Sequence, residues 1–280
     1  VDGTEASYNM SMIYNLNDKF TNNFTLANTY IKRIYGATKN SGNPIQDNYY
    51  GDRYALSYLG NYNINLDNSI IFGFEREDDK IGYNKDLSGQ EDKHNHVTSK
   101  FFDIQSRITN NIYFTFGSRF DEHSVAGNED SHRTTLAYLF GDKSLKIKSS
   151  YGTGFRFPSL YEMYYVYAAN AQSLPYVKAE KSRSYDFGIE KNFSKLSLDV
   201  EANYFNLKYK DPLEGWATGT ASGNAYTTQN QPATVKSQGL ELISKWHLNN
   251  LLNFDFNYTY TSTYDGSEQD DPNKNSDYYN

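Results

Sequence analysis

Apolar and polar residues alternate with a period of two along most of this chain, and only a β-strand with two unlike faces fits that period. The clearest run is 252–261. Leu252, Phe254, Phe256, Tyr258 and Tyr260 point one way, and Asn253, Asp255, Asn257, Thr259 and Thr261 point the other. Ile112, Phe114 and Phe116 alternate in the same way with Tyr113, Thr115 and Gly117. Leu196, Leu198, Val200, Ala202 and Tyr204 alternate with Ser197, Asp199, Glu201 and Asn203. Weaker copies set Leu145 and Ile147 against Lys146 and Lys148, and Tyr185, Phe187 and Ile189 against Ser184, Asp186, Gly188 and Glu190. The pattern predicts about twelve strands, over 6–16, 20–35, 49–63, 69–78, 94–109, 111–122, 131–140, 144–155, 181–192, 195–211, 234–247 and 250–264.

The connections alternate in length. Short ones, such as Asn17-Asp18, Asn65-Leu66-Asp67 and Gly141-Asp142-Lys143, carry the Asn, Asp and Gly that tight hairpins require. Long polar ones cover 36–48, 79–93, 123–130, 156–180, 212–233 and 265–280. Short turn, strand, long loop, strand is the signature of an outer-membrane β-barrel. A soluble β-sandwich also alternates, but it needs its apolar faces to meet in one core, and its strands are usually about five or six residues long. Here several strands exceed that length. One face is almost all Phe, Tyr, Leu and Ile, while the other carries Asp, Glu, Lys, Arg and Asn.

Composition agrees. Apolar residues make up 38% and aromatics 16%, with 27 Tyr, and no run is long and apolar enough for a transmembrane helix. Aromatic richness argues against disorder, and the absence of Ala, Leu and Glu dominance argues against helical bundles. Zero Cys removes disulfides, thiolate metal sites and Cys nucleophiles. A net charge of −7 argues against a nucleic-acid footprint. Tyr258, Tyr260 and Tyr264, Tyr204 and Tyr209, and Tyr8 and Tyr14 sit where an interfacial aromatic girdle would lie, although the ordinary β-propensity of Tyr also accounts for them. No charged and apolar leader opens the chain at Val1-Asp2-Gly3.

Residues 150–164 combine Gly154-Phe155-Arg156-Phe157-Pro158-Ser159-Leu160-Tyr161-Glu162 with a preceding strand end, Ser150-Tyr151-Gly152-Thr153. This resembles the Gly-Phe-Arg-x-Pro-x-Leu-x-Glu motif of TonB-dependent outer-membrane receptors, which leads into an extracellular loop. Lys178-Ala179-Glu180-Lys181-Ser182 and Ser184-Tyr185-Asp186-Phe187-Gly188 are similar to the family's next strand entry, with Ala179 where Pro is usual and Asp186 where Glu is usual. Tyr204-Phe205, Tyr209-Lys210-Asp211, Asn230, Gly239-Leu240-Glu241 and Asn257-Tyr258-Thr259-Tyr260-Thr261 follow in the family's order. The motifs cover about 150–264; the first half matches only in pattern.

The resemblance implies an all-β, antiparallel transmembrane barrel in the outer membrane of a Gram-negative bacterium. The family's barrel has about twenty-two strands with a plugged lumen, so residues 1–280 read as an internal part of the barrel domain. The plug and the last strands then lie outside it, and a complete twelve-strand pore is the runner-up. The implied function is import of a scarce nutrient by a monomeric barrel. An inner-membrane TonB complex would act through the plug, and extracellular loops would capture the ligand. Cobalamin transporters look closest, because of Tyr151-Gly152-Thr153 and the short helix expected after Pro158; siderophore and haem receptors share the skeleton. A passive porin and a barrel hydrolase are the alternatives.

The best ligand candidates are loop aromatics, Tyr161, Tyr164, Tyr165, Trp216 and Tyr226. Such side chains give large contact area at low entropic cost, though loop packing accounts equally well for any one of them. The acidic stretch holding Glu77, Asp78 and Asp79 offers oxygen ligands to calcium, without a defined spacing. His94 and His96 share a strand face, as two metal ligands would, with no third ligand nearby. Asp121-Glu122-His123-Ser124 gathers catalytic residue types, but adjacency in sequence is not triad geometry, and no Gly-x-Ser-x-Gly elbow occurs.

Overall fold

The computed structural model describes residues 2–38, 44–84, 91–164, 177–220 and 223–266. Its elements, in chain order, are β1 (Asp2–Asn17), β2 (Phe20–Thr38), β3 (Pro44–Asn65), β4 (Asn68–Asn84), β5 (Glu91–Arg107), β6 (Ile112–His123), β7 (Gly127–Phe140), β8 (Leu145–Arg156), α1 (Leu160–Tyr164), β9 (Glu180–Phe193), β10 (Leu198–Lys210), β11 (Leu213–Thr220), β12 (Gly223–Asn230), β13 (Thr234–Asn249) and β14 (Leu252–Asp265). Twelve strands form one antiparallel sheet in the order β1 through β10, then β13 and β14; β11 and β12 make a separate two-stranded sheet.

Each strand of the main sheet therefore pairs with the strand next along the chain, except that β10 pairs with β13 and bypasses the β11–β12 hairpin, and lateral pairing carries the alternation across the sheet. One row runs Phe187, Tyr204, Leu240, Tyr260, and the next along the strands runs Ile189, Ala202, Leu242, Tyr258. The opposite face carries the row Lys146, Glu190, Glu201 and the row Lys148, Gly188, Asn203, Glu241. A one-residue slip would exchange the faces, so the register is tightly specified.

Burial shows what the apolar face is for. Large apolar side chains such as Phe256 (58% exposed), Tyr260 (58%) and Met10 (69%) stand in the open, whereas the buried residues of the strands are small or polar and include Asn95, Ser99, Asp121 and His123. A sandwich would reverse that distribution. Apolar side chains out and polar side chains in is the arrangement of a barrel wall facing lipid. No helix among the described residues is long and apolar enough to cross a membrane, so crossing falls to the strands.

The short turns form as their residues demand. Asn17 Oδ1 accepts from the Lys19 N–H, Asn65 Oδ1 from Asp67, Asp142 Oδ1 from Ser144 and Asn249 Oδ1 from Leu251. These are the local side-chain bonds that make Asn and Asp turn formers. The other ends differ from the sequence expectation. β3 begins at Pro44, β4 runs to Asn84 and β5 starts at Glu91, so parts of the expected loops 36–48 and 79–93 are strand. Crossing a bilayer takes about 9–11 residues per strand; beyond it a hairpin continues as long as each strand finds its partner's backbone, whatever its polarity. The expected loop 212–233 is likewise largely the hairpin β11–β12.

Phe256 and Asn257 test the facing directly, since Asn257 pairs with Ile243 on the inner face. Phe256→Arg should cost about 2–4 kcal/mol in denaturant unfolding from lipid, and Asn257→Arg little. Spin labels at the two sites should report lipid at Phe256 and water at Asn257; the reverse pattern would rule out this facing.

Candidate functional site

The candidate site lies on the inner face at the long-loop end, where the chain leaves the wall after β8. Pro158 has no N–H to continue the ladder, and it is fully buried. Phe157 packs its ring 4.8 Å from His123 and 5.0 Å from Phe155. Ser159 then starts α1 with a capping box: its Oγ accepts from the Glu162 N–H at 3.2 Å, and Glu162 Oε2 accepts from the Ser159 N–H at 2.7 Å. The helix buries Leu160 and Met163 with Val177, against Ile81 of β4 and Leu213 of β11, and Lys93 of β5 lies 5.5 Å from the Tyr164 ring centre. Residues 157–164 thus fold back over the inner face and reach the β4–β5 wall.

Arg156 fixes this geometry. Its Nη1 and Nη2 donate to the Glu162 carboxylate at 2.9 and 3.0 Å, and its Nε donates to Glu180 at 2.5 Å. Glu180 also accepts from the Leu213 N–H. Asn230 bonds the Lys178 N–H, the Lys178 carbonyl and the Asp211 carbonyl. Partial burial alone would raise the Glu162 pKa, but the Arg156 guanidinium and the Ser159 N–H and hydroxyl outweigh it and hold the carboxyl below its usual range.

Beneath this segment the wall is lined with paired charges. Arg53 forks onto Asp79 at 2.6 and 2.9 Å, with Glu77 at 4.0 Å. Arg119 meets Glu75 at 2.7 Å, Asp121 at 3.0 Å and the Ser99 hydroxyl at 2.8 Å. His123 Nδ1 accepts from the Val125 and Ala126 N–H groups, and its Nε2 stands 3.0 Å from the Asn95 side-chain amide. With Tyr161, the side chains of Arg53, Asp79, Asn95, Arg119, Asp121 and His123 border a cavity of ≈ 860 Å³. Nearer the short turns Lys146 and Lys148 both reach Glu190, and Lys148 also reaches Glu201 at 2.6 Å.

The structure brings some expected residues together and separates others. Gly154, Phe155, Arg156, Pro158 and Glu162 belong to one unit. Gly188 and Glu241 face the inner wall on either side of Asn203, where an added Cβ at Gly188 would meet the Lys148 side chain. Gly239 lies opposite the Phe205 ring and the Tyr260 carbonyl, both in the way of any side chain. Tyr161 lines the cavity and Tyr164 packs on Lys93. Trp216 and Tyr226 take register positions opposite Thr227 and Ala217 in the β11–β12 hairpin. Tyr165 lies outside the described residues.

Glu77 and Asp79 face inward on Arg53, while Asp78 points to the opposite face and holds Arg76. The three candidate calcium ligands therefore do not converge, and no group of three or more metal-ligating residues occurs among the described residues. His94 and His96 pair with Lys80 and Asp78 on the outer face. Asp121 is held by Ser99 and Arg119, and the Ser124 hydroxyl accepts from the His96 N–H, so these side chains and His123 form no relay.

Sequence reasoning passed over Arg53, Arg119 and Asn95, and quoted Ser159 and Glu180 within motifs without giving them a role. Only Ser159 carried a local signal, the Ser-x-x-Glu spacing of a capping box; the others depend on partners a whole strand away. Arg156→Ala should free residues 157–164 and open them locally by about 1–2 kcal/mol, because the ion pairs are half-exposed. A depressed carboxyl pKa stabilises above the ordinary Glu range and ceases to as pH falls through the folded value. Hydrogen exchange of 157–164 should thus stay slow from neutral pH down to that range and accelerate below it, an acid step that Glu162→Gln removes.

Residues 2–280 match a family model described as "TonB dependent receptor-like, beta-barrel". No curated protein matches. Among solved structures, "Copper transporter OprC" aligns with a TM-score of 0.76 at 14% identity over 94% of this chain and 48% of that one. A siderophore receptor, PirA from Acinetobacter baumannii, gives 0.70 at 16% over 92% and 44%. A mutant of the ferric enterobactin receptor PfeA from Pseudomonas aeruginosa gives 0.72 at 17% over 92% and 43%. The chain spans about half the length of these structures, or slightly less.

Proposed function

This chain belongs to the TonB-dependent receptor-like β-barrel family, and from that premise we propose that it is barrel wall of an outer-membrane receptor importing a scarce metal chelate. The cargo class in this reading is siderophore-like, in keeping with PirA, a siderophore receptor, and PfeA, a ferric enterobactin receptor. Cobalamin is the second cargo, suggested by the motif around Tyr151 and Pro158. The outer membrane of a Gram-negative bacterium, a monomeric barrel and an inner-membrane TonB partner acting through a plug belong to the same proposal. So does the assignment of 1–280 to the barrel domain alone.

One observation carries it. After β8 the chain folds over the inner face and sets Tyr161 beside Arg53 and Arg119 at a cavity of ≈ 860 Å³, within the roughly 300–1,000 Å³ typical of small-molecule sites. A passive pore gains nothing from such a segment; a receptor gains an aromatic contact surface held by Arg156. The prealigned ion pairs leave the wall polar without stray charge, which suits a bulky polar cargo that must be released again.

The test uses the full-length protein on whole cells, with radiolabelled ferric enterobactin, a ferric hydroxamate and cyanocobalamin as probes. Replacing Tyr161, Tyr164 and Tyr165 together by Ala should weaken binding of the recognised probe by about tenfold or more, on the order of 1.4 kcal/mol, with surface expression intact. Unchanged affinity removes these tyrosines from the site, and no binding of any probe by the wild type overturns the cargo class.

A further inference from the structure

The charges around the cavity under residues 157–164 are all paired, but not one to one. Arg53 sets Nε and Nη2 on Asp79 at 2.6 and 2.9 Å, and its Nη1 lies 4.0 Å from Glu77. Arg119 sets Nε on Asp121 at 3.0 Å, Nη1 on Glu75 at 2.7 Å and Nη2 on the Ser99 hydroxyl at 2.8 Å. At the rim Arg156 holds both Glu162 and Glu180. Each guanidinium is thus shared by two carboxylates, three cations among six anions. Other basic groups nearby do not redress the balance inside the cavity. Lys80 turns to the outer face and Asp92, and Lys93 lies over the Tyr164 ring. Arg33 stands one row beyond Ile31, past the cavity border. His123 adds no positive charge, since its Nδ1 accepts from two backbone N–H groups.

How the donors are spent decides more than the count. An anion binds through free N–H groups, and all three nitrogens of Arg119 already have partners, as do Nε and Nη2 of Arg53. An anionic cargo would have to displace a carboxylate fixed on the same wall and leave it unpaired alongside. A cation meets the reverse situation. Carboxylates accept more bonds than one guanidinium fills, and Glu77, its side chain 45% exposed, is the most open of the four on Arg53 and Arg119. Phe155, Phe157 and Tyr161 border the same space, and aromatic faces attract cations. A cleft lined with an excess of one sign also concentrates the opposite sign at its mouth.

We propose that this cavity selects metal chelates without net negative charge and favours those that carry a cationic amine, with Glu77 as the carboxylate that receives it. The proposal rests on the metal-chelate reading above and narrows it: a ferric hydroxamate bearing a free ammonium fits, and an anionic triscatecholate does not. Arg53 and Arg119 then serve to hold the carboxylates in place, and not to bind the cargo.

One chelate scaffold in three charge states tests it. Cells carrying the full-length protein are titrated with radiolabelled ferric trihydroxamate bearing a terminal ammonium, an acetamide or a succinate carboxylate, and with ferric enterobactin. The ammonium form should bind roughly tenfold tighter than the succinate form, with the acetamide between them and ferric enterobactin weakest, and raised salt should compress the series. Glu77→Gln should narrow the ammonium-to-succinate ratio to about threefold, as removal of one charge contact in a wet cleft does. Equal affinities across the series, tighter binding of the succinate form or of ferric enterobactin, or a ratio that Glu77→Gln leaves unchanged overturns the charge selection and leaves the receptor reading standing. If no ferric chelate binds the wild type, the metal-chelate reading itself falls, and the charge selection with it.

Discussion

A backbone amide or carbonyl inside a bilayer has no water to turn to, and this requirement governs everything else in the structure. Twelve strands, each hydrogen-bonded to the strand beside it, satisfy it across the interior of the sheet. It leaves the outer edges of β1 and β14, which pair with β2 and β13 on one side only. An edge cannot stay open in hydrocarbon, so each of these two strands takes a partner in the membrane, from further chain or from the other. The solved relatives, of which this chain spans about half or slightly less, have room for such strands.

With pairing fixed, side chains divide the work between two solvents. The outer face spends its apolar residues on lipid, so the interior has none to spare for a conventional core. Order on the inner face comes instead from ion pairs. Arg53 with Asp79 and Lys148 with Glu190 join neighbouring strands, Arg119 with Glu75 and Lys148 with Glu201 reach across an intervening strand, and Arg119 with Asp121 lies within β6. Exposed pairs of this kind contribute little singly. Arrayed across adjacent strands they fix rotamers, and a wall with fixed rotamers presents a defined surface to whatever enters.

Most of this was legible in the sequence for a simple reason: the dyad pattern is local. Leu252–Thr261 reads its own facing, and the Asn and Asp of the short turns read their own conformation. Strand ends at the long loops were not legible, because β3 and β4 go on pairing through Tyr49, Asp79 and Tyr83 without any apolar pattern to announce it. The site was legible in part. The run from Gly154 to Glu162 marked the place, and the tyrosines after Pro158 were expected in an extracellular loop. That the segment folds inward depends on Arg156 finding Glu180 and on Leu160 and Met163 finding Ile81 and Leu213, partners remote in sequence. Period-two structure also divides the calcium candidates: Glu77, Asp78 and Asp79 are consecutive, so Asp78 stands on the face opposite the other two.

The inward segment has a mechanical side as well. A sheet is a thin, bendable plate, soft to changes of curvature because only hinge-like strand pairings resist it. Residues 157–164 run from the end of β8 to the β4–β5 wall, a chord drawn across the concave side of that plate. Flattening the sheet would stretch the chord and pull Leu160 and Met163 from their contacts, while tighter curling would drive them into the wall. The bend between β4 and β8 is therefore set at this rim by a few side chains.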